Sequence, residues 1–420
     1  MLLHKINSFN LYKDSTVMML GIISANFFNM LYQVVMGRLF TIDEFGLLSS
    51  FLGVFNMLLL PLSVVALAIT HTVSRLDLDG RRGDIRAFLL SWCIRLGLFG
   101  LVVNIIIFLF PDQIAKFFQI NRIAPLYVFG FVLIGTLIRT LFFAALRGIE
   151  LFKVWSWGNL IQSIIRFLGG YILVLCISAY AGWGLLGHGL GIFAGLIFSM
   201  INLNKYLKDE VVSGKGMPDI GSYIGQSFSV LLGLAIFLVG DVVLVRRNFP
   251  EYSGLYAYAS VLGHLIMIAP QSICGALFPK VVKAKSSEYL DLYRTSSRMI
   301  MGITIILSVI LFIFGKYLLW ILFGDQSVSN DSIRWLRYIV LSLIPICYLQ
   351  YTIQFLLAVK RFRGLWIVLL SAIFLIIFLE FGYINSPDKL IFWMAGFSAV
   401  LSFIFDIRIR YWLSKQLISS

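Results

Sequence analysis

Charge is scarce in this chain. Of 420 residues only 13% are Asp, Glu, Lys or Arg, against roughly 25% in soluble domains, while 60% are hydrophobic and the mean hydropathy is +0.93. That shortage excludes a soluble globular protein. Cysteine is equally sparse: Cys93, Cys176, Cys274 and Cys347 lie far apart in apolar runs, without the close spacing of metal ligands, and read as packing residues. No GxxxxGK[ST] stretch occurs, which removes a phosphate-loop ATPase, and no zinc-type His/Glu cluster is present. Long loops are missing too; the longest cover roughly residues 204–221 and 279–298, too short for a soluble catalytic domain. The expectation is a membrane protein that is not an enzyme and holds no metal or organic cofactor.

What the chain has in abundance is apolar runs near twenty residues, each long enough at ~1.5 Å per residue to cross a ~30 Å hydrocarbon core as a helix. Twelve spans are predicted, roughly at 16–36, 46–70, 88–110, 124–145, 157–179, 183–203, 222–245, 254–278, 299–323, 338–359, 364–384 and 389–407. The first lacks a convincing cleavage site and reads as an uncleaved span rather than a signal peptide.

The net charge of +14 invites a nucleic-acid reading, so its distribution decides. With the N-terminus placed in the cytoplasm, 22 of the 34 basic residues fall in cytoplasmic segments and 9 on the opposite face, while Arg95, Arg139 and Arg166 lie inside spans. That is the positive-inside pattern, with both termini cytoplasmic. Basicity here reports topology, and no nucleic-acid partner is expected.

One phrase occurs twice. GRLFTIDEFGLL, residues 37–48, and RRNFPEYSGLYAY, residues 246–258, align at an offset of 208 residues: Arg38 meets Arg246, Gly46 meets Gly254 and Leu47 meets Leu255. In each copy a span ends, a short polar turn follows, and a new span containing a proline, Pro61 or Pro270, runs to a basic loop. A repeat near half the chain length, with an even number of spans per copy, keeps the same orientation in the membrane. Two six-helix lobes are predicted, 1–210 and 211–420, as parallel repeats flanking a cavity. Within the first turn Thr41, Asp43 and Glu44 read as helix-capping residues.

Charged groups inside the bilayer cost ~2.5 to 3.5 kcal/mol each even on the insertion scale, so those kept there are site candidates. By helical rise Arg95, Arg139 and Arg166 sit at one depth, roughly 10 to 14 Å from the cytoplasmic surface. A shared cationic chamber for phosphate oxygens is one reading, and stems that snorkel to the headgroups the other. Asn26, Asn29 and Gln33 in the first span, and Asn159, Gln162 and Arg166 in the fifth, repeat at i, i+3 and i+7 and so share a face. They read either as a polar cavity wall for sugar hydroxyls or as interhelical hydrogen bonds. Asp241, near Arg246 and Arg247, is a candidate for ion coupling or for a structural ion pair with one of them. His264 is a candidate proton carrier or a packing histidine, and Arg38 a candidate for the outer mouth.

GRLFTIDEFGLLSSF, with its arginine, acidic turn and glycine after the first span, resembles the polysaccharide exporters, the Wzx-type lipid-linked oligosaccharide flippases of the multidrug/oligosaccharidyl-lipid/polysaccharide (MOP) superfamily. GDVVLVRRNFPEYSGLYAYASVLGHLIMIAPQSICGALFPKVVKA, residues 240–284, is similar to that family's seventh and eighth spans. The resemblance implies an all-α integral membrane fold of twelve helices in two six-helix lobes around a central cavity. It implies transfer of an undecaprenyl-pyrophosphate-linked repeat unit of O-antigen, capsule or exopolysaccharide across the bacterial inner membrane by alternating access. It further implies coupling to a proton or sodium gradient or to membrane potential, and the polysaccharide polymerase machinery as a partner. A drug exporter of the same superfamily is the competing reading, but it calls for an acidic cavity, whereas the embedded charge here is positive. A membrane polymerase or ligase would need the long outer loop this chain lacks.

Overall fold

The computed structural model describes residues 2–120, 122–207, 221–283, 288–359, 361 and 363–419. Described residues are almost entirely helical. The helices are α1 (Leu2–Leu39), α2 (Ile42–Leu78), α3 (Arg82–Leu109), α4 (Pro111–Phe117), α5 (Ala124–Gly148), α6 (Phe152–Cys176), α7 (Ala181–Tyr206), α8 (Gly221–Val239) and α9 (Asp241–Asn248). After a short 3₁₀ turn come α10 (Ser253–Gly263), a second 3₁₀ turn at His264–Met267, α11 (Ile268–Lys283), α12 (Tyr289–Phe323), α13 (Asn330–Ala358), α14 (Trp366–Glu380) and α15 (Pro387–Ser419).

Among the described residues ten helices are long and apolar enough to span a bilayer. Residues 227–239 and 241–248, bent by 67° relative to each other, make an eleventh if the pair is counted as one span, and the short apolar α14 lies on the remaining predicted run, 364–384. The chain is a multi-pass, all-α membrane protein. Two predicted spans depart from the single rods expected. The seventh is broken at Gly240, and the eighth is interrupted by the 3₁₀ turn at His264. Backbone groups freed by such breaks need polar partners, because hydrocarbon supplies none. At Gly240 the backbone supplies them itself: its N–H donates to the Ile236 carbonyl at 3.0 Å, and its carbonyl accepts from the Leu244 N–H at 2.9 Å.

Contacts divide the chain into two compact units, one of residues 1–51 and 62–224, the other of residues 52–61 and 225–420. In the first unit α6 sits between α1 and α7, and α5 packs on α7 and α3. A glycine row explains how closely α6 and α7 approach. Gly187, Gly191 and Gly195 face α6 from one side of α7, and a Cβ on Gly187 would lie 2.3 Å from the Gly170 Cα of α6. At the start of α2 the Thr41 hydroxyl accepts the Glu44 N–H at 3.4 Å, as the capping reading requires. In the second unit α13 lies against α10, α11, α12 and α15. Its N-terminus is fixed by reciprocal hydrogen bonds between Ser329 and Ser332, each hydroxyl accepting from the other's backbone N–H.

Candidate functional sites in the two units

In the first unit the close seating of α6 aims its polar face at α1 and α5. Arg166 Nη1 donates to Asn29 Oδ1 at 3.2 Å, and its guanidinium carbon stands 4.3 Å from the centroid of the Tyr32 ring. That ring is held by its hydroxyl, which donates to the Gly184 carbonyl at 2.8 Å. A parallel arrangement lies between α5 and α6. Arg139 Nη2 donates to Asn159 Oδ1 at 2.9 Å, and its guanidinium lies 3.9 Å from the Phe143 ring centroid. Asn159 is itself fixed by donating to the Trp155 carbonyl at 2.9 Å.

No carboxylate pairs with Arg139 or Arg166 among the described residues, and the Nε of each is buried with no hydrogen-bond partner among them. The buried Oε1 atoms of Gln33 and Gln162 likewise have none. A cation over a ring contributes on the order of 2 kcal/mol when desolvated, and a hydrogen bond to a charged group about 1.5 to 3. Taking an ion out of water costs several kcal/mol even after relaxation. Ring and amide therefore offset much of the desolvation but leave the charge uncancelled.

The other candidates are placed differently. Arg95 stands apart from the pair: α3 turns Leu96 and Gly100 into the protein and leaves Arg95 exposed, its guanidinium 5.3 Å from the Trp92 ring. Asn26 is exposed, whereas Asn29, Gln33, Asn159 and Gln162 are half-buried. Arg38 is exposed at the end of α1. Two residues are not singled out in the sequence, Arg147 and Tyr32, and His188 is set aside there because it lies near a span end. Arg147, two turns beyond Arg139 on α5, interacts with it electrostatically, although its position suggested an ordinary loop cation. His188, buried on α7, lies within electrostatic reach of both arginines. Tyr32, the platform beneath Arg166, follows Asn29 by three residues, so its place on the polar face was readable.

In the second unit the two candidates for ion coupling come together at the break between α8 and α9. Asp241 is buried in the first turn of α9, and its Oδ2 accepts from the Tyr256 hydroxyl at 3.0 Å and the Ser260 hydroxyl at 2.9 Å. Ser260 Oγ also lies 3.1 Å from His264 Nδ1, and His264 Nε2 faces Asp241 Oδ1 at 3.7 Å. The expected pairing of Asp241 with Arg246 or Arg247 is not what forms. Arg246 donates instead to Ser253 Oγ at 3.0 Å, and Arg247 makes two bonds to the Glu380 carboxylate. The reason is spacing: Tyr256, Ser260 and His264 recur every four residues, so the break brings one face of the following helices against Asp241.

Ser260 has one hydroxyl hydrogen and two acceptors within reach. When it points to His264, a neutral imidazole directs its Nε2–H at Asp241. When it points to Asp241, His264 Nδ1 must carry a hydrogen, and Nε2 beside the carboxylate is satisfied only by one further proton. Asp241 Oδ1 is buried with no hydrogen-bond partner among the described residues, and at 3.7 Å its contact with His264 Nε2 is electrostatic rather than a hydrogen bond.

The two units together match solved transporter structures along nearly their whole length. An inward-facing multidrug resistance MATE family transporter of the MOP superfamily aligns with a TM-score of 0.72 and 13% identity, covering 94% of this chain and 96% of that one. An outward-facing transporter of the same description gives 0.67 at 12% identity, covering 97% and 96%. A MOP superfamily transporter from Pyrococcus furiosus, described as having a binding pocket of reversed polarity that suggests a different function, gives 0.60 at 12% identity over 95% and 94%. No family model and no curated protein matches the sequence. At such identities the likeness establishes the fold alone, one shared with these transporters.

Proposed function

We propose that this MOP-fold chain is a flippase that carries an undecaprenyl-pyrophosphate-linked oligosaccharide repeat unit from the cytoplasmic to the periplasmic leaflet of a bacterial inner membrane, with both termini cytoplasmic. The observation that carries this reading is the Arg139 and Arg166 pair, two permanent cations inside a membrane-spanning unit with no carboxylate partner among the described residues. Guanidinium forks suit phosphate oxygens, and a diphosphate brings the opposite charge such a site lacks. The amides of Asn29, Asn159 and Gln162 on the same helix faces suit sugar hydroxyls. The lipid tail stays in the bilayer while the two lobes, read as parallel repeats, alternate their access to each face.

The fold is shared with multidrug transporters, so a drug exporter is the competing reading. Positive charge in the first unit argues against a cationic drug, and the Pyrococcus furiosus transporter of reversed pocket polarity is a precedent for a change of substrate on this fold. The proton-accepting group of Asp241, Ser260 and His264 suits coupling to a proton gradient in the second unit, and the polysaccharide polymerase machinery would receive the product. The test is inactivation of the chain in its own cell. The flippase reading requires lipid-linked repeat units to accumulate on the cytoplasmic side and surface polysaccharide to disappear. Normal polysaccharide with increased sensitivity to cationic drugs would replace it with the exporter reading.

A further inference from the structure

At the opposite end of the second unit from its capped α13 N-terminus, the turn between α13 and α14 meets the end of α15. Arg361 lays its guanidinium 4.0 Å from the centroid of the Trp412 ring. Arg408 Nη1 donates to the carbonyl of Arg363. Gly364 makes this meeting feasible: its φ is +80°, and a Cβ there would lie 2.8 Å from Arg408 Nη1. Arg361 and Arg408 are near enough to interact as like charges, which together with partial desolvation, the larger cause, lowers the Arg361 pKa from its usual value. Among the described residues no carboxylate pairs with Arg361, Arg363 or Arg408, whereas Arg410, two residues further along α15, is paired with Asp406 at 2.6 Å.

A second observation concerns the surface leading to this cluster. Val400, Phe403, Ile404, Ile407 and Tyr411 are all exposed and lie on one face of α15, a stripe suited to acyl chains that ends at the arginines. We propose that this corner binds the headgroup phosphate of an anionic phospholipid, its chains lying along the α15 stripe. Like charges held in place by a ring and a carbonyl lack only a counter-charge, and forked donors fit phosphate oxygens. Basic corners at the ends of spans are where anionic leaflets attract cations. Inorganic phosphate offers the same oxygens but no chains for the stripe. This site uses none of the residues assigned to the transported substrate.

The full chain, purified in detergent, is titrated with phosphatidylglycerol, phosphatidylcholine or inorganic phosphate, and bound lipid is counted by native mass spectrometry. Phosphatidylglycerol is expected to remain bound where phosphatidylcholine does not, with excess phosphate failing to displace it. Arg361→Gln/Arg408→Gln should weaken that binding by at least about tenfold, the order expected from losing charge-assisted contacts. Arg361→Gln alone changes only an exposed turn residue and serves if the double variant does not fold. Arg334→Gln, which removes a cation already paired with Asp331 and Asp388, should leave binding unchanged. Undiminished binding in the Arg361 variants, an equal loss in the Arg334 variant, equal retention of phosphatidylcholine, or displacement by phosphate at matched concentration each overturns the proposal.

Discussion

Glu44 Oε2 accepts a 2.7 Å hydrogen bond from the backbone N–H of Ala181, a residue 137 positions away and the first of α7. The opening N–H groups of a helix have no partner within it, so a carboxylate there satisfies a donor and complements the helix dipole. Glu44→Ala should destabilise the chain by about 0.5 to 2 kcal/mol, the range for losing a cap, while Glu44→Gln, which keeps an acceptor oxygen, should cost less. Thermal unfolding in detergent measures both. Equal melting temperatures for wild type and Glu44→Ala would remove the capping role.

The seating of α6 on α7 predicts a sharp contrast between two glycines. Gly187→Ala places a methyl group 2.3 Å from backbone and should cost on the order of 1 to 3 kcal/mol or prevent assembly of the first unit. At Gly97 of α3 a Cβ meets nothing within 4 Å, so Gly97→Ala should be neutral or stabilising by up to ~1 kcal/mol through helix propensity. The same melting assay distinguishes them.

Arg166→Lys keeps the charge but loses the planar group over Tyr32 and the fork that reaches Asn29. If each charge-assisted contact contributes about 1.5 to 3 kcal/mol, repeat-unit transfer should fall ~10- to 100-fold. Arg139→Ala/Arg166→Ala should abolish surface polysaccharide with the protein still in the membrane. Arg95→Ala, which removes an exposed guanidinium that contacts neither of them, should have little effect, and a severe loss there would require a different site.

Proton coupling is tested at the α8/α9 break. Asp241→Asn and His264→Gln should each remove the pH dependence of transport in proteoliposomes. Ser260→Ala should slow transport while leaving some response to the gradient, because Asp241 and His264 still face each other. A pH profile unchanged by all three would locate coupling elsewhere.

The exposed pair of Arg247 and Glu380 is a useful contrast to these sites. Although bidentate, with bonds of 2.7 and 2.9 Å, it lies at the surface, and such pairs contribute no more than about 1 kcal/mol. Glu380→Gln should shift the melting temperature little and leave transport intact.

Much of this was readable from residue order. Apolar runs long enough to cross a bilayer announced the helices, and the polar faces at i, i+3 and i+7 announced Asn29, Asn159, Gln162 and Arg166. The break at Gly240 was not readable, because a glycine within an apolar run does not say whether the helix passes through it. Nor was the partner of Asp241, since Arg246 and Arg247 are its neighbours in sequence, whereas Ser260 and His264 reach it only once the span has bent. Arg95 and Arg166 lie at similar depths by counting. Which of them faces its own unit depends on where Leu96 and Gly100 seat α3, and counting cannot supply that.

The Ser260 hydroxyl bears on speed as well as on protonation. Turning one hydroxyl between His264 and Asp241 is a rotor movement on the picosecond to nanosecond scale, while collective movement of helices takes microseconds to milliseconds. Loading or unloading the group therefore demands no helix rearrangement within the second unit. In the proposed coupling, the proton would equilibrate with this group before any helix shifts, and the slower helices would set the turnover number.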